Sequence, residues 1–268
     1  MAYRLVVADL DGTARSRRFG VTPGVRRAIA DVRARGVRVC VATGRMWRSA
    51  APWIQSLGAD TPAILYNGGR VFDFDGGRIL YERRLAAEFT RQVLAVIRRD
   101  PEVQPHLFLN DRVYVERRHP MTEAYTEDDG LGYEVVTAFE PLLTDDPHKI
   151  LVLGAPGRLE ALSSAARQGR LSARAVQSEP TKLEFLPPGS SKGAALRAML
   201  EALGVEAGEV VAVGDNWNDL EMIEAAGLGI AMSCAPDVVR QAARRVVPSD
   251  QEGGLLALFT EILPQYFA

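Results

Sequence analysis

Carboxylates, a hydroxyl and a lysine recur in this chain just past apolar runs, where side chains at the ends of strands can meet. Asp9 and Asp11 flank Leu10 in Asp9-Leu10-Asp11-Gly12-Thr13, directly after the apolar run 5–8. Thr43-Gly44-Arg45 follows the apolar run 37–42. Gly214-Asp215-Asn216 follows the run 210–213, with Asp219 shortly after it. Side chains two apart on an extended chain point the same way, so Asp9 and Asp11 can face one bound phosphate. One can attack to form an acyl-phosphate. The other can protonate the departing oxygen and later take a proton from water.

Such acids repel one another, and each carboxyl would rise in pKa unless a cation neutralised the group. Mg²⁺ meets that demand, because it takes oxygen ligands, keeps several waters and is held by one or two carboxylates plus a substrate phosphate. Asp9, Asp215 and a backbone carbonyl near Asp11 fit such a set. Phosphoryl transfer otherwise needs neutralisation of the migrating oxygens, for which Thr43 and Lys192 are suited. Only Lys149, Lys182 and Lys192 are lysines among 32 basic residues. Lys192 follows Pro188-Gly189-Ser190-Ser191 and opens a helix, where a cation opposes the helix dipole. A compact point charge in an arginine-rich chain, placed against the dipole, implies a task.

The elements that must position these residues alternate. Strand-like runs at 5–8, 37–42 and 63–66 are separated by helix-like segments at 23–35 and 46–57, with Thr22-Pro23 as cap and first turn and Gly36 as a stop. That order predicts a parallel sheet covered on both faces, with ligands beyond the carboxyl ends of its strands. A hairpin follows around Asp75-Gly76-Gly77. From about 86 to about 186, two helices (86–99 and 157–168) mix with short strands such as 103–109 and 113–116. The alternation resumes with a helix at 192–203, a strand at 210–213, a helix at 219–225, a strand at 228–231 and a terminal helix. The fold class expected is α/β, a parallel-sheet core with an inserted α+β cap domain. Its boundaries are 1–84 for the first part of the core, 85–187 for the cap and 188–268 for the second part.

Bulk properties narrow the partners. A formal net charge of -2 gives no positive field for a nucleic acid backbone or an anionic membrane, and no run reaches the roughly 18 apolar residues of a membrane span. A small molecule is the expected partner, the expected location is the cytoplasm, and either a monomer or a homodimer is compatible with the chain. Cys40 and Cys234 read as reduced core thiols. His106, His119 and His148 lack paired spacing and read as structural. Gly189-Ser190-Ser191-Lys192 lacks the first glycine of a P-loop. The acidic run 127–129 reads as a solvated face, and Trp217 as a packing residue or a substrate contact.

The four motifs in order, Asp9-Leu10-Asp11-Gly12-Thr13, Thr43-Gly44-Arg45, Lys192 and Gly214-Asp215-Asn216-Trp217-Asn218-Asp219, resemble those of the haloacid dehalogenase (HAD) superfamily of phosphohydrolases. With Tyr66-Asn67-Gly68-Gly69 before the insertion and Ser191-Lys192-Gly193 after it, the chain looks like the Cof-like subfamily IIB with a C2-type cap. The resemblance implies a Rossmann-like core and an Mg²⁺-dependent phosphatase acting on a sugar phosphate or similar metabolite. It implies Asp9 as nucleophile, Asp11 as general acid and base, Thr43 as phosphate ligand and Lys192 as charge stabiliser. The metal would be held by Asp9, Asp215 and the Asp11 carbonyl. Asp219, Asn216 and Asn218 would support that shell, and Gly44, Arg45 and Asn67 would lie toward the substrate. Ala14-Arg15 departs from the family pattern and bears on substrate fit. A sugar phosphomutase on the same scaffold is the alternative, and a ligand-sensing protein that retains the site is a third.

Overall fold

The computed structural model describes residues 3–16, 18–168 and 173–266. In chain order its elements begin with β1 (Leu5–Asp9), α1 (Pro23–Ala34), β2 (Arg38–Ala42), α2 (Trp47–Leu57), β3 (Ala63–Leu65), β4 (Arg70–Asp73) and β5 (Arg78–Glu82). The middle of the chain forms α3 (Ala87–Ile97), β6 (Gln104–Leu109), β7 (Arg112–Val115), α4 (Pro120–Asp128), β8 (Glu134–Val135), β9 (Lys149–Leu153), α5 (Pro156–Gln168), β10 (Arg174–Glu179) and β11 (Lys182–Leu186). The remainder forms α6 (Lys192–Leu203), β12 (Val210–Gly214), α7 (Leu220–Ala225), β13 (Leu228–Met232), α8 (Asp237–Ala242), β14 (Arg245–Val247) and the short α9 (Gly254–Ala257). The chain folds into two compact units, one of Met1–Arg45, Ala50–Glu82 and Ser191–Ala268, the other of Met46–Ser49 and Arg83–Ser190.

The first unit is built on an eight-stranded sheet of order β14-β13-β12-β1-β2-β3-β4-β5. The strands from β14 to β3 run parallel, and β4 and β5 add an antiparallel hairpin. Local chemistry starts the helices where the sequence leads one to expect. Thr22 Oγ1 accepts the Val25 N–H at 3.3 Å ahead of Pro23, and Ser191 Oγ accepts the Ala194 N–H at 3.0 Å ahead of Lys192. Leu196, Met199 and Leu200 of α6 and Met222 of α7 share one core with Leu5, Val7, Cys40, Ala42, Ile64, Val210 and Ala212. The alternate residues Val6 and Ala8 are also buried, so β1 is covered on both faces, as continuous apolar strands of a parallel sheet require. Each buried valine, leucine, isoleucine or methionine side chain there contributes about 1.5–3 kcal/mol by leaving water.

Register sets the functional edge. Ala8 pairs with Val213 and Asp9 with Ala42, so β12, β1 and β2 end level. Asp9, Thr43 and Asp215 therefore leave the sheet side by side at its carboxyl edge.

The second unit carries a six-stranded sheet of order β10-β11-β9-β6-β7-β8, antiparallel except where β8 joins β7. Val93, Leu94 and Ile97 of α3 and Leu159, Leu162 and Ala166 of α5 pack with Leu107, Ile150, Val152, Leu183 and Phe185. The intervening positions are polar as well as apolar. Lys149 Nζ donates to Glu184 Oε2 at 2.9 Å with both side chains buried, and it lies 4.7 Å from the centre of the Phe108 ring. His106 contacts Thr122 Oγ1 of α4 at 3.0 Å, and burial pushes its imidazole down to about 4. His119 caps α4 by accepting the Met121 N–H, and His148 is buried, so none of the three histidines joins a metal-type cluster among the described residues.

Three expectations need correction. Helix α4 carries no clear apolar periodicity, because its buried face is made by Thr122 and Thr126, and sequence patterning therefore passed over it. The single terminal helix is instead α8, strand β14 paired to β13, a 3-10 turn closed by Gly253 with φ of +82°, and then the short α9 followed by further short helical turns. Cys40 is a buried thiol raised to about 12 by burial, but Cys234 is exposed in the loop after β13. Glu127 and Asp128 are exposed at the end of α4, as expected of a solvated run.

The ion pair in the second unit yields a stability prediction. Lys149→Met removes the ammonium that faces the buried Glu184 carboxylate, which also accepts the Ser178 hydroxyl at 3.2 Å. Urea unfolding should show a loss of about 3 kcal/mol, whereas the pair Lys149→Met with Glu184→Leu should recover most of it. Equal losses in the single and double variants would refute an electrostatic cause.

Candidate active site

Lys192 is the centre of the site. It is wholly buried at the first position of α6, and its Nζ donates to Asp9 Oδ1 and, at 2.6 Å, to Asp219 Oδ1. Burial alone would lower its pKa, but the charges of Asp219 and Asp9 outweigh that and raise it, so the ammonium is firmly protonated. Asp219 ends the 3-10 turn Trp217–Asp219. Its Oδ2 accepts the backbone N–H groups of Asp215 and Asn216, both at 3.0 Å. Its oxygens are therefore committed to holding Lys192 and the motif loop. Asn216 contributes its backbone to that arrangement and caps Trp217 N–H at 2.8 Å with its side chain, while Trp217 is 55% exposed.

Asp215 is held by Thr13, whose hydroxyl donates to Oδ1 at 2.9 Å. The approach needs Gly12. Its φ is +90°, and a Cβ there would sit 2.5 Å from Asp215 Oδ2. Thr13 was not singled out as a functional residue from sequence. Its place in the Asp-x-Asp-Gly-Thr run was the available signal.

Asp11 faces elsewhere. Arg45 grips it as a fork, Nε to Oδ2 at 2.6 Å and an Nη to Oδ1 at 3.0 Å, and an Nη of Arg15 adds a third bond to Oδ1 at 2.7 Å. Burial pushes this carboxyl up, but the hydrogen bonds and charge of Arg45 and then Arg15 win, leaving it below the usual carboxylate range. Arg15 therefore contacts the proposed proton carrier, where the sequence suggested only an influence on substrate fit.

Thr43 is buried, and its Oγ1 accepts the Arg45 N–H at 3.1 Å. Its carbonyl accepts the Asn67 N–H at 3.0 Å, which ties the second motif to the turn after β3. Tyr66 and Asn67 both have φ of +53°, a region costly for bulky L-residues and often retained at functional turns. Asn218 Nδ2 donates to Asn67 Oδ1 at 2.9 Å, so the turn and the last motif are joined. Gly44 lies against Asn67, 2.8 Å from its Nδ2 to where a Cβ would stand. Gly68, with φ of +92°, leaves 2.0 Å between such a Cβ and Ser191 O, so the turn lies directly on the entry to α6.

One carboxylate oxygen from each of Asp9, Asp215 and Asp219 lies within 4.8 Å of the others. Burial and the neighbouring acids Asp219 and Asp215 push the Asp9 carboxyl well up, against the pull of Lys192. Burial and Asp219 push Asp215 up to about 6. Three acids facing one ammonium, all with hard oxygen donors, fit a divalent cation such as Mg²⁺. With Asp219 committed to Lys192, Asp9 and Asp215 are the side chains suited to hold it.

Residues 6–259 match the family of haloacid dehalogenase-like hydrolases. The chain is 27% identical to an Escherichia coli pyridoxal phosphate phosphatase over 92% of its own length and 94% of that protein's. It is 28% identical to a Bacillus subtilis 5-amino-6-(5-phospho-D-ribitylamino)uracil phosphatase over 94% and 92%. A crystal structure of a haloacid dehalogenase-like hydrolase from Bacteroides thetaiotaomicron, 26% identical, superposes with a TM-score of 0.86 over 97% of this chain and 99% of that one. Four motifs gathered at one sheet edge, a shared fold and a family match over nearly the whole chain agree: the protein belongs to the haloacid dehalogenase-like hydrolases.

Proposed function

We propose that the protein is an Mg²⁺-dependent phosphatase that hydrolyses small phosphate monoesters through an aspartyl-phosphate on Asp9. The observation that carries this reading is the buried Asp9 carboxylate, held by Lys192 at the sheet edge beside Asp215. Asp9 attacks phosphorus, and the phosphorus–alcohol bond breaks as Asp11 gives its proton to the departing oxygen. Water then attacks the aspartyl-phosphate, its proton passes to Asp11, and Asp9 is released as a carboxylate. Lys192 and the Thr43 hydroxyl neutralise the migrating oxygens. A bound Mg²⁺ would supply further positive charge to those oxygens and to the crowded acids of Asp9 and Asp215. Arg45, which grips Asp11, and Asn67, which accepts from Asn218, are the proposed substrate contacts around the phosphate.

These groups treat the phosphoryl end of any monoester alike, so they do not by themselves choose the alcohol. Phosphosugars and similar phosphorylated metabolites are the proposed class, in keeping with the two relatives named for phosphorylated small molecules. A phosphate-release screen over sugar phosphates and phosphorylated cofactors should find turnover that needs Mg²⁺. Asp9→Asn should cut it by at least about 10³-fold. Full turnover in that variant would end the nucleophile assignment, and positional isomerisation without free phosphate would make the protein a mutase.

The raised acids predict how the metal couples to pH. Burial and the charge of Asp219 hold Asp215 at about 6, above the ordinary carboxylate range of about 4, so the folded state binds a proton more tightly than the unfolded one. The stability this contributes is present at and below about pH 4 and is lost as pH rises through about 6. Mg²⁺ competes with that proton. Millimolar Mg²⁺ should raise Tm more at pH 7.5 than at pH 5, and an equal rise at both would remove Asp215 from the metal set.

A further inference from the structure

Building on the phosphatase reading, we infer that Arg15 is a positioning residue for proton transfer by Asp11. The loop that carries both residues folds back on itself. Arg15 N–H donates to Leu10 O at 2.7 Å, Gly12 N–H to Arg15 O at 3.0 Å, and Ala14 N–H to Asp9 O at 3.1 Å. The Arg15 backbone is thereby tied to the strand end that carries Asp9. Its guanidinium lies 4.4 Å above the Trp53 ring and donates to Asp11 Oδ1 at 2.7 Å, with the side chain only 13% exposed. Among the described residues its Nε has no hydrogen-bond partner, so the guanidinium is placed by the ring and by Asp11.

A carboxylate offers about four acceptor positions. The Arg45 fork takes one on each oxygen, and Arg15 takes a second on Oδ1. The position left open on Oδ2 is where a reacting oxygen can exchange a proton. Arg45 alone fixes the plane of the carboxyl group. Arg15 closes the second site on Oδ1, so the reacting oxygen meets one defined lone pair. In the first step the Asp9–phosphorus bond forms, the phosphorus–alcohol bond breaks and the Asp11 proton ends on the alcohol. In the second, water's oxygen bonds to phosphorus, the Asp9–phosphorus bond breaks to free the carboxylate, and a proton of that water passes to Asp11.

The dependence on leaving group tests this assignment. An alkoxide is too basic to depart without a proton, whereas p-nitrophenolate departs as the anion, so only the alkyl ester needs a well-placed Asp11. The ratio kcat/KM covers the steps up to loss of the alcohol, so the dephosphorylation common to both esters does not enter it. With Mg²⁺ present, Arg15→Met should lower kcat/KM for a hexose 6-phosphate about tenfold or more while p-nitrophenyl phosphate stays within about twofold. Arg15→Lys should restore part of the loss, and Trp53→Leu, which removes the ring beneath the guanidinium, should shift the ratio the same way by a smaller factor. Should Arg15→Met prove unstable in a thermal melt, the ratios for the other two variants decide. Equal losses on both esters, or no loss on the alkyl ester, overturn the assignment while an active wild type keeps the phosphatase reading. A wild type inert on both esters overturns the two together.

Discussion

The site is organised around one buried ammonium. Lys192 carries its charge into a place without solvent, and the two carboxylates that receive it, Asp9 and Asp219, come from β1 and from the turn after β12. An unpaired charge there would be costly enough to neutralise, and the pairing reverses that by raising the pKa. The pairing also fixes geometry. Asp219 spends its second oxygen on the Asp215 and Asn216 N–H groups, so one side chain sets both the lysine and the path of the motif loop. Removing Asp219 would therefore loosen two arms of the site together.

That arrangement leaves excess negative charge by construction. Asp215 is placed against the same cluster by Thr13, and nothing on the protein side offsets it beyond the one ammonium already shared by two acids, among the described residues. Close approach is achieved through residues with little or no side chain. Gly12 lets β1's loop reach Asp215, Gly44 and Gly68 admit the turn carrying Asn67, and Gly214 leaves 2.4 Å between a would-be Cβ and the Asp219 carboxyl carbon. Positive φ at Tyr66 and Asn67 is a local cost, each of order 1–3 kcal/mol, met by the bonds from Tyr66 N–H to Arg45 O and from Asn67 N–H to Thr43 O.

The parallel half of the fold was legible in the sequence because its strands are continuous apolar runs buried on both faces, and such runs end at their functional residues. Asp9, Thr43, Asp215 and Lys192 could be chosen for the same reason: in each case an apolar run or a capped helix start places a chemically distinctive side chain at an edge. Helix α4 escaped notice since threonines rather than aliphatic residues make its buried face. Strand β14 is three residues long, with Val246 turned to solvent, and carries too little pattern to separate from a helix. The grip of Arg15 on Asp11 was hidden for another reason. It depends on a loop folding back so that residues four apart meet outside a helix, and spacing alone does not reveal that.

Asp9 and Asp11 show how far environment separates two identical side chains. They stand two residues apart, yet burial beside other acids pushes one up while two guanidiniums pull the other down. The proposed roles require the opposite order at the moment of attack, with Asp9 ionised and Asp11 carrying a proton. Substrate and cation together would supply the reversal. A divalent ion held by Asp9 would favour its carboxylate, and a phosphate dianion arriving near Asp11 would repel negative charge there and attract the guanidiniums of Arg45 and Arg15. The same arginines then favour the carboxylate once the alcohol has taken the proton, which readies Asp11 to receive one from water. On this reading the protein holds the pair ready for the second half of the cycle, and the bound substrate sets it for the first.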